Sequence, residues 1–534
     1  MKKTIIILGL LTFSILISFG QSKSKKVDIL WGLEQKKSKR STLSDIVGYD
    51  KTGIYAIKTQ NTGLIGYNTK ITLEHYNNKM NQTKSVEINL EEQNKKTYFE
   101  FIIQLNNELY LFSSFKNQKL KRNFLFVQSI NKKTLQFNKD LKKIAEINYS
   151  GKSKFNAGNF DFVLSRDSSK VLIYYNLPYD KYGSEKFGFN VFDNNLNELW
   201  EKKITLPYKE ELFDVEDYLI DNNGNVHLLG MIFKDKRKDK RRGEPNYKYQ
   251  ILSYLNDGES IKEYPIKIEG KFLTDMQIAV NDEQDMICGG FYSNVGTFSI
   301  IGSYFIKVDG KTKEITAKSF KEFGIDFITQ NMSQRKENKA KAKAAKGKNV
   351  ELYEYDLDNI ILKNNGGAML VGEQYYVRVI TNTYRSSSGV MSTSTTYYYY
   401  FNDIIVINMS PDGNIEWAEK IAKRQLTTND RGFYSSYTLS VVGDKMYFVF
   451  NDNPKNLFYK GEGKLYNFNK GKESLTVLVE LDSDGKQTRE ALFSSGEADI
   501  LTRPKVCEQI SENEMILFGQ RRKTHRFAKI TFKE

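Results

Sequence analysis

The stretch FDVEDYLIDNNGNVHLLG, residues 213–230, contains the pattern from which the fold can be inferred. Phe213–Ile220 mixes apolar and polar residues in the manner of a strand, and a polar turn follows at residues 221–224. Val226–Leu229 is then almost wholly apolar, which is typical of a strand buried on both faces. Gly230 ends the run, and a glycine at this place lets a neighbouring backbone approach closely.

The apolar tetrapeptide recurs along the chain, each time after a polar turn. The eight copies are Ile54–Ile57, Leu109–Phe112, Val171–Tyr174, Val226–Leu229, Met286–Gly289, Ala368–Val371, Met446–Val449 and Met515–Phe518. The residue after the tetrapeptide is small in five of them: Ser113, Gly230, Gly290, Gly372 and Gly519. Successive copies lie 55 to 82 residues apart, which is enough chain for a four-stranded unit.

Each copy belongs to such a unit. One strand precedes it, and a strand of alternating apolar residues follows it, such as Tyr304/Ile306/Val308. Asp-Gly turns such as Asp309-Gly310 then lead into a fourth strand, and Asp-Gly between apolar runs is a strong hairpin signal. We therefore predict an all-β fold, a β-propeller of eight four-stranded blades, with seven blades as the alternative if one unit is irregular.

The two ends of the chain predict how the ring closes. The last unit has a first strand predicted near Lys505–Ile510 and a third strand near Arg526–Phe532, but it lacks a fourth strand. Val27–Trp31 is a strand-like segment that stands before the first unit. We expect it to complete the last blade, because this closure leaves no exposed sheet edge between the first and last blades.

This organisation resembles secreted bacterial propeller proteins of the WD40-like and quinoprotein-like kinds. The resemblance covers nearly the whole chain after the N-terminal segment and rests on the order of strands in each blade. The chain has no recurring Gly-His…Trp-Asp pair, and Asp412–Trp417 is similar to Asp-box and quinoprotein motifs without sharing their register. The resemblance therefore implies a fold and no particular activity.

The N-terminus has the features of a secretory signal peptide. Lys2 and Lys3 precede an apolar stretch, Thr4–Ser18, and the chain turns polar and basic after Gly20. We predict a signal peptide at residues 1–20 and a single propeller domain at residues 21–534, exported to the periplasm or to the outer-membrane or cell surface. A retained membrane anchor is the alternative interpretation of the same stretch.

The positive charge is concentrated in three segments. The chain has a formal net charge of +15, while Lys23–Arg40 carries +5, Lys234–Arg242 carries +5 and Arg335–Lys348 carries +6. We interpret these segments as solvated, flexible basic stretches, with binding to an anionic membrane surface as the functional alternative. No nucleic-acid partner is expected, because the charge does not follow one structured stripe. The candidate contact residues are Lys236, Arg237, Arg241, Arg242, Lys339, Lys341 and Lys343.

Long loops are predicted at residues 234–246, 331–350, 381–400 and 451–474. Loops on a rigid scaffold commonly carry function, so these are the places to look for a partner. Residues 381–400 predict a projecting hairpin with a Ser/Gly tip and an unusual tyrosine cluster. The cluster could be a binding edge or simply cross-strand packing. Its candidate binding residues are Tyr375, Tyr376, Tyr384, Tyr397, Tyr398, Tyr399 and Tyr400.

The sequence contains no pattern to which we assign catalysis or metal binding. His75, His227 and His525 lie in three different units without partners at ligand spacing. Cys288 and Cys507 are predicted to be buried thiols, three blades apart and too distant for a disulfide. There is no G-x-S-x-G motif and no phosphate-binding glycine loop. We expect no catalytic residue, cofactor or metal, although a glycosidase-like carboxylate pair stays open.

Together these observations favour a non-catalytic, exported propeller that binds or assembles proteins of the bacterial cell envelope. A carbohydrate-active propeller, which binds or hydrolyses glycans, is the first alternative. Carboxylates and arginines around the central channel would distinguish it. An electrostatic binder of anionic membrane surfaces is the second alternative.

Overall fold

The computed structural model describes residues 24–61, 69–92, 95–149, 157–178, 182–385 and 391–533. Its main strands form eight antiparallel sheets, and seven of these take four successive strands of the chain in order. The protein is therefore an eight-bladed β-propeller, as the repeat predicts. Within the described part of the chain, no helix is long and apolar enough to cross a membrane.

The first four blades follow one another along the chain, each listed from its first to its fourth strand. Blade 1 consists of Ser41–Asp50, Gly53–Asn61, Thr69–Asn77 and Gln82–Glu87, and blade 2 of Tyr98–Leu105, Glu108–Asn117, Arg122–Ile130 and Lys142–Asn148. Blade 3 consists of Phe160–Leu164, Lys170–Asn176, Ser184–Asp193 and Glu198–Lys209, and blade 4 of Phe213–Ile220, Val226–Phe233, Tyr247–Leu255 and Ser260–Ile266.

The last four blades complete the ring. Blade 5 consists of Phe272–Val280, Met286–Ser293, Gly302–Val308 and Ile315–Glu322, and blade 6 of Tyr355–Leu362, Ala368–Arg385, Met391–Met409 and Ile415–Ile421. Blade 7 consists of Thr438–Val442, Lys445–Asp452, Leu475–Leu481 and Gln487–Ser494. Blade 8 combines two short inner pieces, Leu501–Thr502 and Glu508–Gln509, with Glu514–Arg521, Thr524–Phe532 and Val27–Trp31.

Short helices, strands and turns connect or flank the main strands of the blades. Two α-helices lie between blades 5 and 6: Ile325–Thr329, here α1, and Gln334–Ala344, here α2. Short strands occur at Gln35–Lys36, Glu91–Glu92, Lys95–Lys96, Lys240–Arg241, Glu244–Pro245, Ser299–Ile300, Leu352–Tyr353 and Gln425–Thr428. Single 3-10 turns occur at Glu210–Leu212, Pro454–Asn456 and Pro504–Val506.

Every apolar tetrapeptide lies in the second strand of its blade. In blade 4, for example, Val226, Leu228 and Leu229 are fully buried, because the strand is covered on one face by blade 3 and on the other by blade 5. Clusters of buried apolar residues span all the neighbouring pairs of blades in the same way, including blades 8 and 1. The core is thus a ring of interfaces between blades, as expected of strands that are apolar at every position.

The glycine after the tetrapeptide has the predicted packing role. A Cβ on Gly230 would lie 2.3 Å from the ring of Phe213, and one on Gly290 would lie 2.1 Å from the carbonyl oxygen of Asp275. Both atoms belong to the first strand of the same blade, which has a β-bulge at this level. The small residue therefore makes room for the bulged first strand.

The ring is closed by the N-terminal strand. Val27–Trp31 pairs antiparallel with residues 528–532, so the prediction for the last blade is confirmed. The Trp31 ring meets Phe493 of blade 7 edge-on at 4.9 Å, and the Arg526 guanidinium lies 4.7 Å from the Trp31 ring centre. This strand is therefore held by its sheet and by the next blade.

The first strand of blade 8 differs from the sequence expectation near Lys505–Ile510. A 3-10 turn at Pro504–Val506 divides it into Leu501–Thr502 and Glu508–Gln509. The cause is Pro504, which has no N–H to donate to a sheet and disfavours a regular strand. Cys507 consequently follows the turn, and it is half-buried where the sequence predicted a buried strand position.

Glutamine side chains connect neighbouring first strands near the channel. The side-chain amide of Gln104 in blade 2 accepts a hydrogen bond from Tyr49 N at 2.7 Å and donates one to Tyr49 O at 2.8 Å. Gln509 of blade 8 makes the same pair of bonds with the backbone of Val441 in blade 7, at 2.9 and 2.8 Å. An amide side chain carries both N–H donors and a carbonyl acceptor, so it can bond to the N–H and the C=O of one residue as a paired strand would.

Ring closure predicts that substitutions at two residues of the same strand differ greatly in their effect on stability. Val27 is 2% exposed, whereas Leu30 is 45% exposed. We expect Val27→Asp to lower the free energy of unfolding by about 3 kcal/mol, because it buries a charge between blades. Leu30→Asp is the matched control, with an expected change within about 0.5 kcal/mol. Denaturant midpoints measure both effects, and equal midpoints for the two variants would contradict this account of closure.

Candidate functional site

The long insertions project from the same face of the propeller. Neighbouring strands in a blade run in opposite directions, so the loops between second and third strands emerge at the same face as the connections between blades. Residues 234–246 and 451–474 join second to third strands in blades 4 and 7, and residues 381–400 do so in blade 6. Residues 331–350 lie in the connection from blade 5 to blade 6. We call this side of the molecule the insertion face.

The basic stretch at Arg335–Lys348 is not the flexible loop that its charge suggested. Most of it forms α2, because Ala, Lys, Arg and Glu are strong helix formers and the segment contains little else. Glu337 and Lys341 form an ion pair at 2.9 Å across one helical turn, which adds local support. No residue of α2 is buried, so the helix presents its lysines to solvent.

The tyrosine-rich segment lies on a long β-hairpin. Ala368–Arg385 pairs with Met391–Met409 over the whole length of both strands, and residues 386–390 at the expected Ser/Gly tip lie outside the described residues. Gln425–Thr428 pairs with residues 398–401 as a third strand on one side. The hairpin therefore extends the second and third strands of blade 6 well beyond the length of the other blades.

The hairpin divides the predicted tyrosine cluster between its two faces. Tyr376 and Tyr400 are directly opposite each other and stack, with ring centres 4.3 Å apart. Because side chains alternate along a strand, Tyr398 shares their face, while Tyr375, Tyr397 and Tyr399 lie on the other. Tyr384 is placed in the strand backbone, but its side chain is not described. The six tyrosines with described side chains thus form two surfaces.

A cavity of about 590 Å³ lies at the base of this hairpin, on the face of Tyr376 and Tyr400. Parts of three insertions enclose it: the segment around α1 and the start of α2, the hairpin itself, and the loop of blade 7 near Leu465. We call it the insertion cavity. Its volume lies within the range of about 300–1,000 Å³ that is usual for small-molecule sites. No spacing pattern could have revealed it, because its walls are separated by up to about 140 residues.

Buried charges support one wall of the insertion cavity. Lys423 donates to Glu373 Oε1 at 2.5 Å and to the carbonyl oxygen of Phe401 at 2.9 Å. The backbone N–H of Lys423 also donates to the Asp403 carboxylate at 3.2 Å. Burial raises the pKa of Asp403, and burial lowers the pKa of Lys420 to about 8. Lys420 donates to the carbonyl oxygen of Ile328 at 3.1 Å, which connects α1 to blade 6.

The cations predicted to contact a membrane are dispersed. Arg237 pairs with Asp214, Arg241 pairs with Asp235, and Lys341 pairs with Asp326 at 2.8 Å in addition to Glu337. Residues 234–246 contain a short hairpin with two residues in each strand and belong to blade 4, whereas α2 lies between blades 5 and 6. The remaining predicted contacts stay exposed: Lys236, Arg242, Lys339 and Lys343. The structure thus gives two separate basic sites with partial internal neutralisation.

The central channel carries carboxylates that the sequence analysis did not assign. First strands of neighbouring blades contact one another around the channel, and several carry an acid near their midpoint. In four blades the aspartate accepts a hydrogen bond from the next backbone N–H: Asp45, Asp161, Asp217 and Asp275. Glu216 precedes Asp217 in the first strand of blade 4, and the first strands of blades 2, 6 and 8 contribute Glu100, Asp358 and Glu508. The positions of two of these acids give a sequence signal. Asp45 and Asp217 each lie twelve residues before the last residue of the apolar tetrapeptide that follows them.

Burial perturbs the titration of these channel acids. It raises the pKa of Glu508 to about 7, and the nearby negative charge of Asp45 acts in the same direction. Burial also raises the pKa values of Asp275 and Asp358 to about 7. Asp275 additionally accepts a hydrogen bond from Leu357 N at 2.6 Å, so it links blades 5 and 6. These groups can hold protons near neutral pH, and Asp275 has a clear structural role.

The histidines and cysteines lie apart from one another. His75 contacts Thr52 and Thr83, while His227 contacts Ser253 at 2.8 Å. Burial raises the pKa of both thiols to about 12, and neither cysteine is in a disulfide. Among the described residues, no group of three or more His, Cys, Asp or Glu side chains could hold a metal ion.

Comparison with known proteins finds similar solved structures at low sequence identity. No model of a protein family and no curated protein matches the sequence. The β-propeller domain of the Trilobed protease from Pyrococcus furiosus is 12% identical, with a TM-score of 0.34 over 85% of this chain and 96% of that one. The WD40 domain of SCAP from fission yeast is 8% identical, with a TM-score of 0.37 over 95% and 94%.

An enzyme is also among the similar structures. The polysaccharide lyase Uly1 is 8% identical, with a TM-score of 0.34 over 82% of this chain and 90% of that one. Similarity at this level carries no activity from one protein to another. The class of this protein is therefore defined by its own structure: an eight-bladed β-propeller whose insertions are gathered on one face.

The raised pKa of Glu508 predicts a pH dependence of stability. Because the carboxyl binds its proton more tightly in the folded chain, its contribution is fully present below about pH 4.5 and is lost as the pH rises through about 7. We expect Glu508→Gln to increase the free energy of unfolding by about 1 kcal/mol at pH 8 and to change it little at pH 4.5. This value is reduced from the full shift because Glu508 is exposed and solvent screens its charge.

Glu512→Gln, on an exposed turn of the same blade, is the control for this measurement. Urea denaturation at pH 4.5 and pH 8 separates the two variants. An equal effect of Glu508→Gln at both pH values would contradict the assignment of the proton to this carboxyl.

Proposed function

We propose that this protein is a non-catalytic binding module of the bacterial cell envelope and that it docks a partner protein on the hairpin of blade 6. The N-terminal segment Thr4–Ser18 supports export, because it has the length and apolar composition of a signal sequence. The observation that carries the docking role is the outer edge of the first hairpin strand at residues 377–385, with which no described strand pairs.

The backbone geometry shows which groups that edge offers. Tyr375 N donates to the carbonyl oxygen of Glu354 at 2.9 Å, away from the partner strand of the hairpin. Since the direction alternates along a strand, the N–H and C=O groups of Val377, Val379 and Thr381 point the same way. None of these groups is hydrogen-bonded to another described backbone group on that side. An extended peptide could add a strand here by β-augmentation.

Side chains beside this edge are suited to contact with a protein. Val377 is 38% exposed, Val379 is 51% exposed and Tyr397 is 43% exposed, and all three lie on one face of the hairpin. Met391 near the tip is 63% exposed. A row of exposed apolar and aromatic side chains beside an open sheet edge is typical of an interaction site.

Charge indicates the chemistry of the partner. The hairpin contains Arg378 and Arg385, and no aspartate or glutamate occurs from Gln374 to Asn402. A second copy of this edge would bring arginines towards arginines, whereas an acidic strand would pair with them. The proposed occupant is therefore an extended, carboxylate-bearing segment of another envelope protein.

A proline at Thr381 tests the docking mode. Thr381→Pro removes one outward N–H and leaves the backbone hydrogen bonds within the hairpin, since proline is tolerated on an edge strand. It also removes the hydroxyl contact of Thr381 with Thr395 at 3.2 Å, which Thr381→Ala removes as well. A photoreactive residue at Val379 in the full chain should crosslink to an acidic, extended segment in intact cells. Thr381→Pro should lower this crosslink yield about tenfold, because it removes a backbone bond and obstructs strand addition.

Thr381→Ala keeps the N–H and should change the yield less than about twofold. Mass spectrometry identifies the crosslinked segment, and circular dichroism checks that both variants fold. Equal yields from the two variants would reject strand addition. Capture of a segment that lacks carboxylates would reject the proposed partner chemistry.

A further inference from the structure

We propose that the insertion cavity is a second binding site, separate from the hairpin edge, and that it takes an oligosaccharide bearing carboxylate groups. The site rests on the cavity of about 590 Å³ enclosed by α1, the start of α2, the hairpin base and the blade 7 loop. It does not depend on the protein-docking role, because its walls use the opposite face of the hairpin.

Aromatic side chains form part of the cavity wall. Tyr376 and Tyr400 stack with their planes 12° apart, and Tyr353 approaches Tyr376 edge-on with ring centres 6.2 Å apart. All three tyrosines line the cavity. Tyrosine combines a large apolar area with a polar hydroxyl, so this wall can contact the C–H face of a sugar ring while it bonds to its hydroxyls.

Amide side chains line the rest of the wall and are held in place by neighbouring groups. Asn402 donates to the Gln374 side chain at 3.1 Å, and Gln374 donates to the carbonyl oxygen of Tyr353 at 2.8 Å. Asn467 donates to the carbonyl oxygen of Phe468 at 2.9 Å. The amide oxygens of Asn402 and Asn467 accept no hydrogen bond from another described residue. Both amide oxygens are held in place and can accept hydrogen bonds from sugar hydroxyls.

Positive charge remains at the cavity after its internal pairs are counted. Lys423 is compensated by Glu373, and Lys420 lies near the buried Asp403. Glu351 is held by Ser293 and by Asn294 N, so its carboxylate is already engaged. The two other cations of the lining, Arg424 and Lys336, are exposed and form no ion pair with a described residue. They are free to pair with a carboxylate of the ligand.

The balance of groups favours a saccharide over other anions. Five amide side chains contribute to the lining, at Gln330, Asn331, Gln374, Asn402 and Asn467. Among the described lining residues, Lys336 and Arg424 are the two cations that are both exposed and outside an ion pair, which suits a ligand with many hydroxyls and few charges. A polyphosphate or a strongly acidic peptide would require a denser group of cations.

Calorimetry with defined probes tests this site. The probes are trimers of galacturonate, glucuronate and mannuronate, the neutral galactose trimer, a glutamate hexapeptide and ATP, all with the full folded chain. We expect at least one uronate trimer to bind at least tenfold more tightly than the galactose trimer. Arg424→Gln should weaken that binding at least fivefold and leave any neutral binding unchanged. Tyr400→Ala should weaken uronate binding at least tenfold.

Matched controls separate this site from the hairpin edge. Lys119→Gln removes an exposed lysine from a turn of blade 2, and Tyr397→Ala removes a tyrosine from the opposite hairpin face. Both should leave uronate binding within twofold, as should Thr381→Pro. Near-ultraviolet circular dichroism verifies that Tyr400→Ala and Arg424→Gln keep the native fold.

Three results would overturn the proposal. One is the absence of binding by every uronate trimer. Another is uronate binding that Arg424→Gln leaves intact. The third is tighter binding of the glutamate hexapeptide or of ATP, which would assign the cavity to an acidic peptide or to a nucleotide. None of these results bears on strand addition at residues 377–385, so failure of one proposal is distinguishable from failure of the other.

Discussion

The packing of each second strand between two neighbouring blades is the interaction on which this structure depends. These strands are apolar at nearly every position, so each must be covered on both faces. A row of blades would leave two such faces uncovered at its ends, whereas a ring leaves none. Val27–Trp31 then pairs with the last strand of the chain in blade 8. Blades 8 and 1 therefore cannot separate unless this pairing breaks or the segment that joins it to blade 1 extends.

The long insertions lie on one face of the propeller and the tight turns on the other. The tight turns on one face are defined by aspartate and asparagine side chains that bond to their own backbone, as Asp221 does with Asn223 and Asn225. Several loops on the other face carry long insertions, which exposed loops on a rigid scaffold tolerate. Insertions from distant parts of the sequence therefore meet on one surface, and the insertion cavity forms where three of them converge.

The hairpin of blade 6 illustrates how one element can serve two surfaces. Because side chains alternate, Tyr376 and Tyr400 face the cavity while Val379 and Tyr397 face solvent beside an open strand edge. The cavity wall is reinforced by buried pairs such as Lys423 with Glu373, which fix the base of the hairpin to blade 6. Rigid support of this kind holds binding groups in place before a ligand arrives.

The sequence alone determined the blades and the closing strand, and it favoured eight blades while seven stayed open. Those features depend on local apolar periodicity and turn chemistry, which are legible in the order of residues. It did not determine that Arg335–Lys348 becomes a helix at the cavity, that the tyrosines divide between two faces, or that channel acids meet from different blades. Only the tertiary structure decided these, because they depend on which distant segments are brought within contact distance when the ring closes.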